Sequence, residues 1–183
     1  MTQLVQDLID LLNEAGIDYM VVGSVCSGLY GQSRATQDLD LVIDPTTEQL
    51  ERFLALLPQD RYYASPQGAL EALGRRTQFN VIDMAEGGKI DLMILKARAY
   101  SRMEFSRRRT FKALGRDLVA ASPEDVVLAK LEWNKISPSE RQLRDCLSVL
   151  RTQGERLDLA YLRTWAEQLE VLETLEDLLK GAG

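Results

Sequence analysis

Two aspartates at strand spacing are the residues of this chain best placed to do chemistry. Asp38 and Asp40 alternate with Leu39 and Leu41, so their carboxylates should project from one face of a β-strand. Carboxylates this close repel each other unless a cation lies between them. Carboxylate oxygens are hard ligands that suit Mg²⁺ or Mn²⁺. The pair therefore predicts a divalent-metal site.

A third aspartate, Asp91, lies inside the apolar segment 89–95, which reads KIDLMIL. A carboxylate within a strand that is apolar on both faces is costly to bury without a partner. A cation shared with Asp38 and Asp40 would be such a partner, so we expect the three carboxylates to converge. The alternative is that Asp91 lies at the mouth of its strand and faces solvent.

The pair Gly23-Ser24 follows the apolar run 19–22 and precedes a segment that can form a short helix to Tyr30. Glycine lets the backbone approach a ligand closely, and a helix start presents unpaired N–H groups to an anion. A phosphate-binding turn near a metal site suits transfer chemistry on a nucleoside triphosphate. The alternative is an ordinary strand–helix–strand unit without a ligand site, whose second strand has one face exposed to solvent.

At these residues the chain resembles the nucleotidyltransferase superfamily. The family pattern is a hydrophobic residue, Gly-Ser or Gly-Gly, a helical spacer, and then Asp-x-Asp in a strand. The minimal nucleotidyltransferases and the AbiEii-like toxins are similar in the ending Arg-x-Thr-x-Asp-x-Asp, which is present at residues 34–40. The resemblance implies a nucleotide-binding role for Arg34 and Thr36 and a third metal-binding carboxylate on a later strand, here Asp91. It covers about the first hundred residues well and the remainder loosely.

The C-terminal half holds two further candidates, Lys130 and Asp145. Lys130 lies on a predicted helix that begins at Ser122 and is apolar nearly all round. It could extend along the surface, or it could contact the triphosphate, as the lysine of a third motif does in the AbiEii-like proteins that this segment resembles. Asp145 could match their fourth-motif aspartate, although its helical angle is also ordinary for a solvated carboxylate.

The elements that must position these residues follow from hydrophobic periodicity. Strands are predicted at 19–22, around Asp38 and Asp40, at 79–84 and at 89–95, with a hairpin turn at 86–88. One or two short strands are also predicted within residues 110–121, around Gly115. The economical assembly is a mixed sheet of about four strands with helices on one face. We therefore expect an α/β (α+β) fold: a nucleotidyltransferase-like core over residues 1–120 and a C-terminal helical lobe, 121–183, packed on it.

Composition excludes several functional classes. The 183 residues include no histidine, so Ser-His-Asp and Cys-His nucleophile systems are ruled out, and any metal must be held by oxygen ligands. The two cysteines indicate a reducing compartment without disulfides. No apolar run approaches the roughly 20 residues of a membrane span, and the N-terminus lacks the basic region of a signal peptide. We expect a cytoplasmic protein without membrane contact.

Charge is distributed unevenly along the chain. The net charge is −6, yet residues 96–116 contain eight lysines and arginines against the single acid Glu104. Such a segment suits an anionic substrate, although it could also be a solvated face balanced by the acidic C-terminal part.

Together these observations predict Mg²⁺- or Mn²⁺-dependent transfer of a nucleoside monophosphate from a nucleoside triphosphate to a hydroxyl. The acceptor could be a tRNA end, a protein hydroxyl or a small molecule such as an antibiotic. The family resemblance also implies a toxin–antitoxin or defence role with a cognate antitoxin or toxin as partner. The alternative is a catalytically weak binding protein of the same fold that acts as an antitoxin or regulator.

Overall fold

The protein divides into two compact units. A computed structural model describes residues 2–32, 38–113 and 115–182; for Thr2 and Asp38 it describes only the backbone. The sheet unit consists of the described residues up to 22 and from 38 to 120. The helical unit consists of residues 23–32 and 121–182.

The sheet unit is built on seven strands within the described residues, in the order β3-β4-β5-β2-β1-β7-β6. They are β1 (Tyr19–Val22), β2 (Asp38–Ile43), β3 (Tyr62–Tyr63), β4 (Gln78–Asp83), β5 (Lys89–Ile94), β6 (Arg109–Ala113) and β7 (Arg116–Ala120). β2 and β5 pair in parallel, as do β1 and β7, and the other neighbours are antiparallel. The prediction of a mixed sheet is confirmed, but the predicted number of about four strands is too low.

The strands beyond the predicted four lie at the two ends of the sheet: β3 at one end, and β7 followed by β6 at the other. The β6–β7 pair overlaps the segment 110–121, where one or two short strands are predicted. The β6–β7 hairpin turns at Gly115, whose φ of 74° favours glycine, and β7 joins the sheet through Val21 and Ala120. This parallel pairing joins segments about a hundred residues apart, and local alternation carries no signal for a pairing of that range. The predicted 86–88 hairpin is present, with Gly87 at a φ of 71°.

Helices separate most of the strands and make up the C-terminal part of the chain. Those of the described chain are α1 (Thr2–Ala15), α2 (Gly23–Tyr30), α3 (Thr47–Leu56), α4 (Pro66–Arg75), α5 (Ala99–Ser106), α6 (Pro123–Ile136), α7 (Glu140–Gln153), α8 (Leu159–Gln168) and α9 (Leu172–Ala182). None of the helices in the described part of the chain is long and apolar enough to cross a membrane. The hydroxyl of Ser122 accepts a hydrogen bond from the Asp125 amide at 3.2 Å, which confirms the predicted start of α6.

One face of the sheet forms the core of the sheet unit. Leu39, Leu41 and Ile43 of β2 are buried there, as are Ile90, Leu92 and Ile94 of β5. The residues between them, including Asp40 and Asp91, are only partly buried and belong to the opposite face. This opposite face carries the polar side chains of the candidate site.

The helical unit has a core of its own, to which a segment far away in the sequence contributes. α2 packs against α6 and α7, although it directly follows β1 in the chain. Cys26 of α2 and Cys146 of α7 are both buried and free of disulfides. Burial raises the pKa of the Cys146 thiol to about 12, so this cysteine is an inert core residue.

Candidate functional site

The central feature of the sheet unit is a pair of aspartates on neighbouring strands. β2 and β5 run parallel in a register that pairs Asp40 with Asp91. Paired residues of neighbouring strands are about 4.8 Å apart and point to the same side of the sheet. The two carboxylates therefore lie side by side, as the alternation of each strand predicts. The backbone of Asp38 pairs with Lys89, two residues earlier.

Asp91 has two polar partners among the described residues. Its Oδ2 accepts a hydrogen bond from Lys89 Nζ at 2.9 Å, and its Oδ1 faces the amide nitrogen of Asn80 at 3.4 Å. The side chain of Asp91 is 16% exposed and that of Lys89 is 43% exposed. Asp91 is thus mostly withdrawn from water, and a lysine supplies the counter-charge that this burial requires.

Gly23 and Ser24 form the first turn of α2 in the helical unit. Gly23 has a φ of 67°, a conformation that residues with a β-carbon adopt only under strain. The hydroxyl of Ser27 donates a hydrogen bond to the Ser24 carbonyl at 3.0 Å, which stabilises this turn. Arg34 and Thr36 lie outside the described residues. The glycine therefore meets a backbone requirement of the turn that joins β1 to α2.

Lys130 and Asp145 contact each other in the interior of the helical unit. Lys130 Nζ lies 2.8 Å from Asp145 Oδ2 and 2.9 Å from Gln142 Oε1. The Lys130 side chain is 8% exposed and that of Asp145 is 14% exposed. The Ser27 hydroxyl lies 3.4 Å from the same carboxylate, so the cluster connects α2, α6 and α7.

Known structures share this architecture, although no protein-family model and no curated protein matches the sequence. An antigenic nucleotidyltransferase-like protein from Paracoccidioides brasiliensis is 18% identical with a TM-score of 0.59, over 98% of this chain and 91% of that one. ANT(2'')-Ia in complex with adenylyl-2''-tobramycin is 14% identical with a TM-score of 0.56, over 95% of each chain. The lincosamide antibiotic adenylyltransferase LnuA, lincomycin-bound, is 13% identical with a TM-score of 0.54, over 79% of this chain and 93% of that one. The chain has the nucleotidyltransferase fold.

The chemistry of the aspartate pair fits a divalent metal within this nucleotidyltransferase fold. Asp40 and Asp91 offer hard carboxylate oxygens on one face, and their mutual repulsion is relieved by a cation. The predicted metal set also includes Asp38, whose side chain lies outside the description. Among the side chains that are described, no group of three or more Asp, Glu or Cys is placed to hold a metal. The three-carboxylate metal site therefore stays a prediction. The structure brings together two of its carboxylates, those of Asp40 and Asp91.

Four residues of these polar clusters were not predicted from the sequence: Ser27, Lys89, Asn80 and Gln142. The signal for Lys89 is its position two residues before Asp91, on the same strand face. Asn80 lies opposite Asp91 in the β4–β5 hairpin, a register that follows from the turn at 86–88. Gln142 is three residues before Asp145 on α7, a spacing that puts both side chains on one side of a helix.

Part of the basic segment 96–116 is neutralised within the sheet unit. Arg108 lies 3.3 Å from Asp18, and Arg116 forms an ion pair with Asp10. The hydrogen bond from Arg116 holds the pKa of the Asp10 carboxyl below its usual value. These two arginines therefore contribute less positive charge to the surface than the sequence suggests.

Proposed function

We propose that this protein is a Mg²⁺- or Mn²⁺-dependent nucleotidyltransferase that transfers a nucleoside monophosphate from a nucleoside triphosphate to a hydroxyl group. The observation that carries the proposal is the in-register pair Asp40 and Asp91 on one face of a sheet with the nucleotidyltransferase fold. A fold of this kind accommodates different reactions, so the argument rests on the pair. One of the similar structures is named an adenylyltransferase and another is a complex with adenylyl-2''-tobramycin. ATP is therefore the first donor to test.

In the reaction, the acceptor oxygen forms a bond to the α-phosphorus as the bond from that phosphorus to the oxygen bridging the α- and β-phosphates breaks. Pyrophosphate leaves, and the proton of the hydroxyl passes to a carboxylate or to water. Asp38 and Asp40 would bind two metal ions, and Asp91 would bind one metal ion and orient or deprotonate the acceptor hydroxyl. Bound Mg²⁺ supplies neutralisation of the phosphate charge.

The remaining residues would bind the donor. The backbone N–H groups of Gly23 and Ser24 would bind the phosphates. Arg34 and Thr36 would contact the nucleotide. Lys130 would supply positive charge, with Asp145 as its neighbour. Since Lys130 already binds Asp145 and Gln142, its ammonium acts on phosphate only if it leaves or shares these partners.

The candidate acceptors are a tRNA end, a protein hydroxyl and a small molecule. The pairing of Arg108 and Arg116 with Asp18 and Asp10 lowers the charge available to a polyanion. Neighbouring structures contain lincomycin or an adenylylated tobramycin. A hydroxylated small molecule is therefore the first acceptor to test, followed by tRNA. A toxin–antitoxin or defence setting belongs to this proposal only through the family resemblance.

A second candidate is a binding protein of the same fold, an antitoxin or regulator with weak chemistry. The engagement of Lys130 by Asp145 favours it, because a lysine held in an internal ion pair is less available to phosphate. The two candidates differ on turnover, and the absence of stabilisation by any triphosphate would also favour the binding protein.

The test is thermal unfolding with each of the four ribonucleoside triphosphates, with and without Mg²⁺. At 100 times its dissociation constant a ligand stabilises by about 2.7 kcal/mol, which corresponds to roughly 5–11 °C for a chain of this size. We expect this shift with one triphosphate and Mg²⁺ in the wild type, and its loss in Asp40→Asn and Asp91→Asn.

Asp117→Asn is the matched control, because Asp117 is an exposed aspartate on β7 of the same sheet. It should respond to Mg²⁺ and triphosphate as the wild type does. Equal stabilisation of the wild type and both site variants would contradict the proposed site. Triphosphate binding without transfer of α-labelled phosphate to any acceptor class would select the binding-protein candidate.

A further inference from the structure

The environment of Asp91 is built around an asymmetric ion pair. Asp91 is 16% exposed, whereas its partner Lys89 is 43% exposed. The carboxylate is therefore held in place within the sheet, and the ammonium is at the end of a flexible side chain that reaches water. A charge withdrawn from water is costly without a compensating partner, whereas a surface ion pair of a partly exposed lysine contributes only about 0–1 kcal/mol.

The position of Lys89 is also the position that a metal would need. Its Nζ contacts Oδ2 of Asp91 at 2.9 Å, so one of the two oxygens that could bind a cation is already in use. The register puts the Asp40 carboxylate beside this same pair. Two neighbouring carboxylates with one ammonium form a site that carries a counter-charge in the absence of metal.

We infer that Lys89 is a resident counter-cation of the aspartate pair, which a divalent metal displaces from Asp91 and which then interacts with the triphosphate. The inference rests on the proposed function. Before binding, the ammonium holds the Asp91 carboxylate in place beside Asp40 through the 2.9 Å contact. After displacement the ammonium stays tethered within one side-chain length of Asp91, and the phosphates of the donor are the negative charges that arrive with the metal. Lys89 is accordingly a positioning residue for Asp91 and a specificity residue for a metal–triphosphate complex over the free metal.

The prediction is a pair of opposite changes in Lys89→Met. Titration calorimetry with Mn²⁺ alone should give a dissociation constant about threefold to fivefold lower than the wild type, because the competing ammonium is gone. At saturating Mn²⁺, the affinity for α,β-methylene ATP should fall by about threefold to fivefold, because the phosphates lose a cation. Lys89→Arg should restore the nucleotide affinity. A side chain that only supported the fold would not shift the two affinities in opposite directions.

Lys112→Met on β6 makes the same chemical change at an exposed lysine of the same unit and should alter neither constant. Unchanged Mn²⁺ and nucleotide affinities in Lys89→Met, with Mn²⁺ binding lost in Asp91→Asn, would overturn the inference and leave the proposed function standing. Loss of Mn²⁺ binding in Lys89→Met would also overturn it. Wild-type Mn²⁺ binding by both Asp40→Asn and Asp91→Asn would overturn the proposed function itself, and this inference with it.

Discussion

Removing the ammonium of Lys130 tests how the helical unit is held together. Lys130→Met keeps the length of the side chain but removes the ammonium that pairs with the Asp145 carboxylate, which is 14% exposed. Breaking a buried ion pair from one side costs about 3–5 kcal/mol, and the residual exposure of Asp145 places the expected loss near 3 kcal/mol. For a chain of this size that corresponds to roughly 6–12 °C in melting temperature.

The measurement is urea unfolding followed by circular dichroism at 222 nm, at neutral pH and without nucleotide. Lys135→Met is the matched control, because Lys135 is on the same helix and pairs with Glu170 at the surface. Surface pairs contribute about 0–1 kcal/mol, so the control should lose less than 1 kcal/mol. In the double variant Lys130→Met/Asp145→Leu, part of the loss should return, because both charges of the buried pair are then removed. Equal losses for Lys130→Met and Lys135→Met would refute the assignment of a buried pair.

Two further predictions concern the turn before α2 and the response to acid. Gly23→Ala should lower the free energy of unfolding in urea by about 1 kcal/mol, because alanine is strained at the φ of 67° of this position. Gly74→Ala, in α4, should stabilise the protein slightly, because an added β-carbon there meets no atom within 4 Å. Equal effects of the two substitutions would contradict the backbone argument. The backbone amides of Glu86 and Ala85 and the ion pair with Arg61 hold the pKa of Asp83 below its ordinary value of 3.8. The stability that Asp83 contributes is therefore present above pH 3.8 and is lost as the pH falls through its lowered pKa. Asp83→Asn removes this contribution, so the midpoint of acid unfolding should shift to higher pH. An unchanged midpoint would exclude the contribution.

Much of the candidate site could be predicted because it depends on local rules. Strand alternation is enough to put Asp40 and Asp91 on the non-core face of their strands, and the Gly-Ser turn marks the end of β1. Which strands are neighbours is a different matter, because β2 and β5 come together across about fifty residues. The parallel register of Asp40 with Asp91 is a property of the whole sheet.

The two lysines show the limit of reasoning from one element at a time. A helical wheel for α6 identifies Lys130 as an unusual charge, but it does not identify a partner on α7. Asp145 lies on the face of α7 opposite the apolar stripe, where the sequence alone predicts contact with solvent. Because α7 packs against both α2 and α6, more than one face of this helix is covered. Lys89 is a related case: it compensates the charge of Asp91 and is not itself a metal ligand, so a pattern of acidic ligands does not include it.

The membership of α2 in the helical unit has a consequence for synthesis on the ribosome. The helices that α2 packs against, α6 and α7, emerge roughly a hundred residues later, which at 5–20 residues per second is a delay of about 5–20 s. During that interval the Cys26 side chain and its apolar neighbours have no native partner from α6 or α7. The strands on either side of α2 can begin to pair before the helix itself is packed. The packing of α2 is therefore a late event in the folding of each new chain, and truncation after residue 120 leaves α2 without the helices it packs against.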